Sequence, residues 1–198
     1  MKTAAVAAAI AAAAALGLRD HHPFPRFGPA NLVTSFRALL VAAVAGLIGE
    51  PHGAPVAWTA VWLGLAATLL DGADGWLARR TGMISRFGAR FDVEVDALLI
   101  QVLAILAWRH GKAGAWVLFS GLLRYLFVAA GWALEWMRQP LSPTIRGKVT
   151  CVVQIGGLLI ALSPIVSPPL SDLVAAAALI ALTGSFAIDV NRLWRQYA

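Results

Sequence analysis

The chain has 198 residues, of which 60% are hydrophobic and only 13% charged. Soluble domains run near half and a quarter, so an ordinary soluble domain is excluded. The 16 Lys and Arg outweigh 10 Asp and Glu for a formal charge of +6; no soluble basic module remains to hold nucleic acid, and the excess reads as loops facing anionic lipid.

The first 18 residues, MKTAAVAAAIAAAAALGL, hold a lysine, an apolar core and small residues. They read as a signal peptide or as a retained surface or partly inserted helix. Residues 1–30 form an Ala-rich and juxtamembrane segment, and residues 31–198 the membrane domain. A span needs about 20 apolar residues, and runs bounded by Gly, Pro and charges predict an all-α, polytopic membrane fold of about six transmembrane helices. The expected spans are 31–49, 56–77, 88–109, 113–136, 147–165 and 170–193. GEPHGAP (49–55) and SPIVSPP (163–169) read as short outer turns, because Pro and Gly do not continue a helix cheaply. Arg79, Arg80, Arg86, Arg90, Arg138, Arg146, Lys148, Arg192 and Arg195 then fall at one end of the bundle, and chiefly Arg109 and Lys112 at the other. The positive-inside rule puts the first group in the cytoplasm of a multi-pass cell-membrane protein. Trp58, Trp62, Trp76, Trp108, Trp116 and Trp136 gather near span ends as an interfacial belt, and His21, His22, His52 and His110 read as solvated loop residues without metal spacing. The single cysteine, Cys151, rules out an internal disulfide.

The stretch DGADGWLARRTGMISRFGARFDVEVD, residues 71–96, sets four acids against this apolar background. Asp71 and Asp74 are three apart at the end of the second span, and Asp92 and Asp96 four apart at the start of the third. Those spacings share a helix face. Antiparallel spans joined by the turn around RTGMIS bring the four carboxylates together, where they repel one another unless a cation neutralises them. Hard oxygen ligands favour Mg²⁺, Mn²⁺ or Ca²⁺ over zinc. Gly72, Ala73, Gly75, Ala78, Gly82, Gly88 and Ala89 leave room for close helix approach or for a ligand. Arg79 offers forked donors to a phosphate, and a spare carboxylate can take the proton of an attacking hydroxyl. Together these are the parts needed for phosphoryl transfer. The plainer alternative, loop acids paired with neighbouring arginines, suits one pair better than four acids spaced across a turn.

The same stretch resembles the signature of the CDP-alcohol phosphotransferase family, D-x2-D-G-x2-A-R-x8-G-x3-D-x3-D. Asp71, Asp74, Gly75, Ala78, Arg79, Gly88, Asp92 and Asp96 fill every fixed position. NLVTSFRALL is similar to the family's first-helix pattern through Asn31, Thr34 and Arg37, with Ala30 where proline is usual. The resemblance implies a polar cavity open to the cytoplasm, a homodimer, and Mg²⁺ or Mn²⁺ held by Asp71, Asp74 and Asp92 with Asp96 beside it. It implies that Asp96 deprotonates the acceptor, that Thr34, Asp74, Gly75, Ala78 and Arg79 hold the CDP moiety, and that Gly88 packs that pocket. The implied reaction is attack of a small alcohol on the β-phosphorus of CDP-diacylglycerol, releasing CMP, in phospholipid biosynthesis.

IRGKVTCVVQ, with Gly147, Lys148, Thr150 and Gln154, resembles the matching stretch of phosphatidylglycerophosphate synthases. An arginine inside a span faces a cavity or a partner. Arg124, Arg146 and Lys148 are therefore candidate receivers of an acceptor that carries its own phosphate, glycerol 3-phosphate or an inositol phosphate. The alternatives are a structural pair for Arg124, with Glu135 or another span, and lipid-headgroup contact for Arg146 and Lys148. FDVEVDALL departs from those synthases at Val93, Glu94 and Ala97, and Glu94 has no assigned role. Two other functions remain in view. An intramembrane prenyltransferase also uses aspartates and Mg²⁺, but in two distant clusters. A cation transporter predicts acids at the midplane and pseudo-symmetric halves, not acids beside arginines at a helix boundary.

Overall fold

The computed structural model describes residues 28–81, 86–137 and 144–197, without the side chains of 73–79, 81 and 86. All regular structure among the described residues is helical. Six α-helices run in chain order: α1 (Pro29–Gly46), α2 (Ala54–Thr81), α3 (Arg86–Arg109), α4 (Phe119–Ala133), α5 (Ile145–Leu162) and α6 (Leu170–Tyr197). Short 3₁₀ turns flank α4 at Ala115–Leu118 and Glu135–Met137. The fourth span, expected at 113–136, is thus a shorter α-helix between two tighter turns.

Among the described residues, five segments are long and apolar enough to cross a membrane: Pro29–Gly46, Ala54–Gly72, Ala115–Ala133, Ile145–Leu162 and Leu170–Tyr197. The remaining helix, α3, carries Asp92, Glu94 and Asp96 within its first half. Its position compensates for that polarity. Val95, Leu99, Ile100, Leu103, Ala104 and Leu106 are buried, and α3 packs against α1, α4 and α5. A polar stripe is tolerated at bilayer depth when neighbouring helices, not lipid, face it.

Local sequence explains the ends. Proline in the first turn of α1 needs no backbone donor there. Thr144 caps α5, its Oγ1 accepting from the Gly147 amide at 3.1 Å. Helix α3 stops at Gly111, whose φ of +65° only glycine adopts cheaply. Gly111 N donates to Trp108 O at 3.0 Å and Lys112 N to Ala107 O at 2.8 Å, the paired bonds of a Schellman termination. Close packing of α5 on α6 depends on Gly157, where an added Cβ would lie 2.6 Å from Ala178 Cβ.

At the end of the bundle where α3 and α5 terminate, Lys112 Nζ donates to the Ser163 carbonyl at 3.0 Å and to that of Val166. The Gly114 amide donates to Asp172 at 3.2 Å. His52 and His110, expected to be separate surface residues, meet across two turns with ring centroids 5.0 Å apart. Burial first, then His52, Lys112 and Arg109, hold the His110 pKa below its ordinary value. Trp58 stacks on Trp62 and Trp136 meets Trp194 edge-on, while Trp132 and Trp62 are largely exposed, as residues facing headgroups are.

Candidate active site

Asp71 stands near the end of α2, and Asp92 and Asp96 lie one turn apart near the start of the antiparallel α3. Each offers a carboxylate oxygen within 4.8 Å of the others, so three of the four acids do converge. Asp74, Gly75, Ala78 and Arg79 lie along α2, and their side chains are outside the described residues. A set of carboxylates at this separation fits a hard divalent cation, which takes several oxygens at 2 to 2.6 Å or so.

Spacing within the aspartate stretch points to no residue of α1, yet the structure places Arg37 at the centre of the cluster. This arginine has no exposure at all. Its Nη1 pairs with Asp71 Oδ1 at 3.0 Å and with Asp92, and its Nη2 pairs with Asp96 Oδ1 at 2.5 Å. Its Nε donates to the Ala67 carbonyl at 3.0 Å, which ties α1 to α2 as well. One guanidinium against three carboxylates leaves a net negative charge that still suits a cation. The signal was present in the sequence: Arg37 is an ionised side chain in an apolar run, and such residues are paired and functional by default.

The cluster opens into a cavity of about 360 Å³. Asp71, Asp92 and Asp96 line it, as do Arg124, Lys148 and Asp189. Val152, Ile155, Leu182 and Phe186 give it an apolar side. Acids, cations and a greasy wall in one space suit an amphipathic substrate with a charged head.

The expected acceptor residues separate into three situations. Arg124 lines the cavity and pairs with Glu94 Oε1 at 2.5 Å, so Glu94 has a partner on the neighbouring helix and Glu135 does not take that place. Arg146 is not a lining residue. Its guanidinium is tied to Asp189 and to Ser185 Oγ at 3.3 Å, and those two residues line the cavity in front of it. Lys148 is exposed and lines the cavity. Thr34 is buried in α1 with its hydroxyl donating to the Ala30 carbonyl at 3.1 Å, and Gly88 is half-buried in the first turn of α3; neither lines the cavity.

Two further neighbours escaped the sequence reading as site residues. Cys151 Sγ lies 3.7 Å from Asp96 Oδ2. Ser120, buried at the start of α4, lines the cavity and accepts a hydrogen bond from Gln154 at 3.0 Å. Neither a lone cysteine nor a lone serine announces itself in an apolar run.

The CDP-alcohol phosphatidyltransferase family matches residues 27–188. The CDP-diacylglycerol--glycerol-3-phosphate 3-phosphatidyltransferase of Salmonella choleraesuis (strain SC-B67) is 28% identical over 142 residues, covering 67% of this chain and 75% of that protein. The protein of the same name from Escherichia coli (strain K12) is 28% identical over 144 residues with the same coverage. No solved structure matches. The family match runs from just before α1 into the last helix, across every element that builds the cavity, so the chain belongs to the CDP-alcohol phosphatidyltransferase family and is a multi-pass membrane enzyme of phospholipid synthesis.

Proposed function

We propose that the protein transfers the phosphatidyl group of CDP-diacylglycerol to a small alcohol that carries its own phosphate, glycerol 3-phosphate being the simplest, and releases CMP. The observation that carries this reading is the shared cavity, which the clustered Asp71, Asp92 and Asp96 carboxylates line together with Arg124 and Lys148. The curated relatives named for glycerol 3-phosphate support the same acceptor.

Asp71, Asp74 and Asp92 are the proposed ligands of Mg²⁺ or Mn²⁺, with Asp96 beside them. Such an ion polarises the phosphorus and stabilises the charge on the departing CMP. Arg37 holds Asp71, Asp92 and Asp96 in register and offsets part of their charge. Gly75, Ala78 and Arg79 hold the CDP moiety, with Thr34 and Gly88 shaping the helices behind it. The acceptor phosphate sits against Arg124 and Lys148, with Arg146 behind Asp189, and its hydroxyl faces Asp96. Asp96 takes the hydroxyl proton as the oxygen attacks the β-phosphorus; the bond from that phosphorus to the CMP oxygen breaks, and CMP leaves. The apolar wall of Val152, Ile155, Leu182 and Phe186 accommodates the first carbons of the acyl chains. The cations flanking the aspartate end support a cavity mouth on the cytoplasmic side, and residues 31–198 act as a single catalytic domain in a homodimer.

The test is CMP release by purified protein given CDP-diacylglycerol with Mg²⁺ or Mn²⁺. Glycerol 3-phosphate, inositol phosphate, inositol, serine and choline are offered separately, and lipid products are identified by mass. Release with phosphorylated acceptors alone is the expected outcome. Release with serine or choline would remove the proposed task of Arg124 and Lys148, and failure to bind CDP-diacylglycerol would remove the donor.

A further inference from the structure

Beside the cavity lies a buried neutral polar cluster that the chemistry above leaves unused. Ser120 on α4 lines the cavity although only 3% exposed. Its Oγ accepts from Nε2 of Gln154 on α5 at 3.0 Å, and Gln154 has no exposure. Gln101 on α3 lies against Gly121, the residue after Ser120, since a Cβ there would collide with its side chain. The amide oxygens of Gln101 and Gln154 are both buried without a partner among the described residues.

Three polar side chains from three helices, in an otherwise apolar layer, carry a desolvation cost that packing alone does not explain. Gln154 occupies a lone pair of Ser120, which leaves the serine proton to be donated elsewhere. The serine is therefore set as a hydrogen-bond donor at the cavity wall. Ser120 and Arg124 are four apart on α4, on one face and about 6 Å apart along the axis. Ala97 and Ile100, which follow Asp96 on α3, line the same wall.

We infer that Ser120, held by Gln154, is a specificity-determining contact for a second, non-reacting hydroxyl of the acceptor, so that the enzyme selects polyol phosphates over phosphates of simple diols. The inference rests on the proposed function: with the acceptor phosphate at Arg124 and the reacting hydroxyl at Asp96, the remaining hydroxyl is the group within reach of Ser120. Ser120 binds; Gln154 is a positioning residue.

The experiment compares glycerol 3-phosphate with 3-hydroxypropyl phosphate, which lacks only the middle hydroxyl, by CMP release from CDP-diacylglycerol. The wild-type protein is expected to prefer glycerol 3-phosphate by about tenfold in kcat/KM, the value of one well-made hydrogen bond. In Ser120→Ala that ratio falls to near one, and in Gln154→Met it falls part of the way. A wild-type ratio near one overturns the inference, as does a variant that loses activity on both acceptors with the ratio kept, which would make the cluster a packing device. Absence of turnover of glycerol 3-phosphate by the wild-type protein removes the proposed function and this inference with it, and is read in the same assay before any ratio is taken.

Discussion

The two ends of the bundle are held together by different chemistry. At the aspartate end, helices are joined by side-chain ion pairs: Arg37 with three acids, Arg124 with Glu94, and Arg146 with Asp189. At the other end the turns are held by backbone groups, through the Gly111 termination, Lys112 on two carbonyls and Asp172 on an amide. Charges around a cavity are expensive to bury and are retained where substrates carry charge; backbone closure is cheaper and leaves nothing to bind. The contrast accords with the proposed chemistry at one end and with mechanical closure at the other.

The largest effect that would sharpen this contrast comes from the acids. Asp96→Asn is expected to lose turnover by about 10² to 10⁴-fold while still binding CDP-diacylglycerol, as removal of a general base does. CMP release and donor binding measured side by side check it, and equal loss of both would make Asp96 chiefly a ligand. Arg37→Met comes next. It strands three carboxylates, so stability should fall by about 3 to 5 kcal/mol, the usual result of removing one partner from a buried ion pair. Thermal unfolding in detergent reads this, and added Mg²⁺ should restore part of it.

A break at the opposite end should cost less and leave the reaction alone. Gly111→Ala forces a Cβ into the left-handed region and should cost about 1 to 2 kcal/mol of stability with KM unchanged. The smallest effect is that of Glu94→Gln. Its carboxylate is 46% exposed and competes with an incoming phosphate for Arg124, so its neutralisation should lower KM for glycerol 3-phosphate by up to about fivefold. The KM for CDP-diacylglycerol, which other residues hold, provides the control, and a KM for glycerol 3-phosphate that rises instead would make Glu94 a support for Arg124 rather than a competitor.

The spans were legible because hydropathy is a local property. Five of the six described helices are apolar enough to read directly, and α3 was legible through its flanks. The convergence of Asp71, Asp92 and Asp96 was legible too, since helical spacing across a short turn leaves little freedom. Arg37 was visible as an oddity, but its acid partners lie 34 to 59 residues away, and which helix α1 packs against is decided by tertiary contacts. The same holds for Arg124 with Glu94, Arg146 with Asp189 and His52 with His110. Each of these pairs joins different helices or turns, where periodicity carries no information. Ser120 was the least visible, because its chemistry depends on burial and not on residue type, whereas Gln154 stood out only through the resemblance of its stretch.

The Arg37 hub bears on how such a protein comes into being. A cluster of acids entering a bilayer without compensation would either pick up protons or wait for an ion before its helices could associate. A guanidinium delivered by α1 supplies part of that countercharge from within the chain, so the acids have a partner as the helices come together.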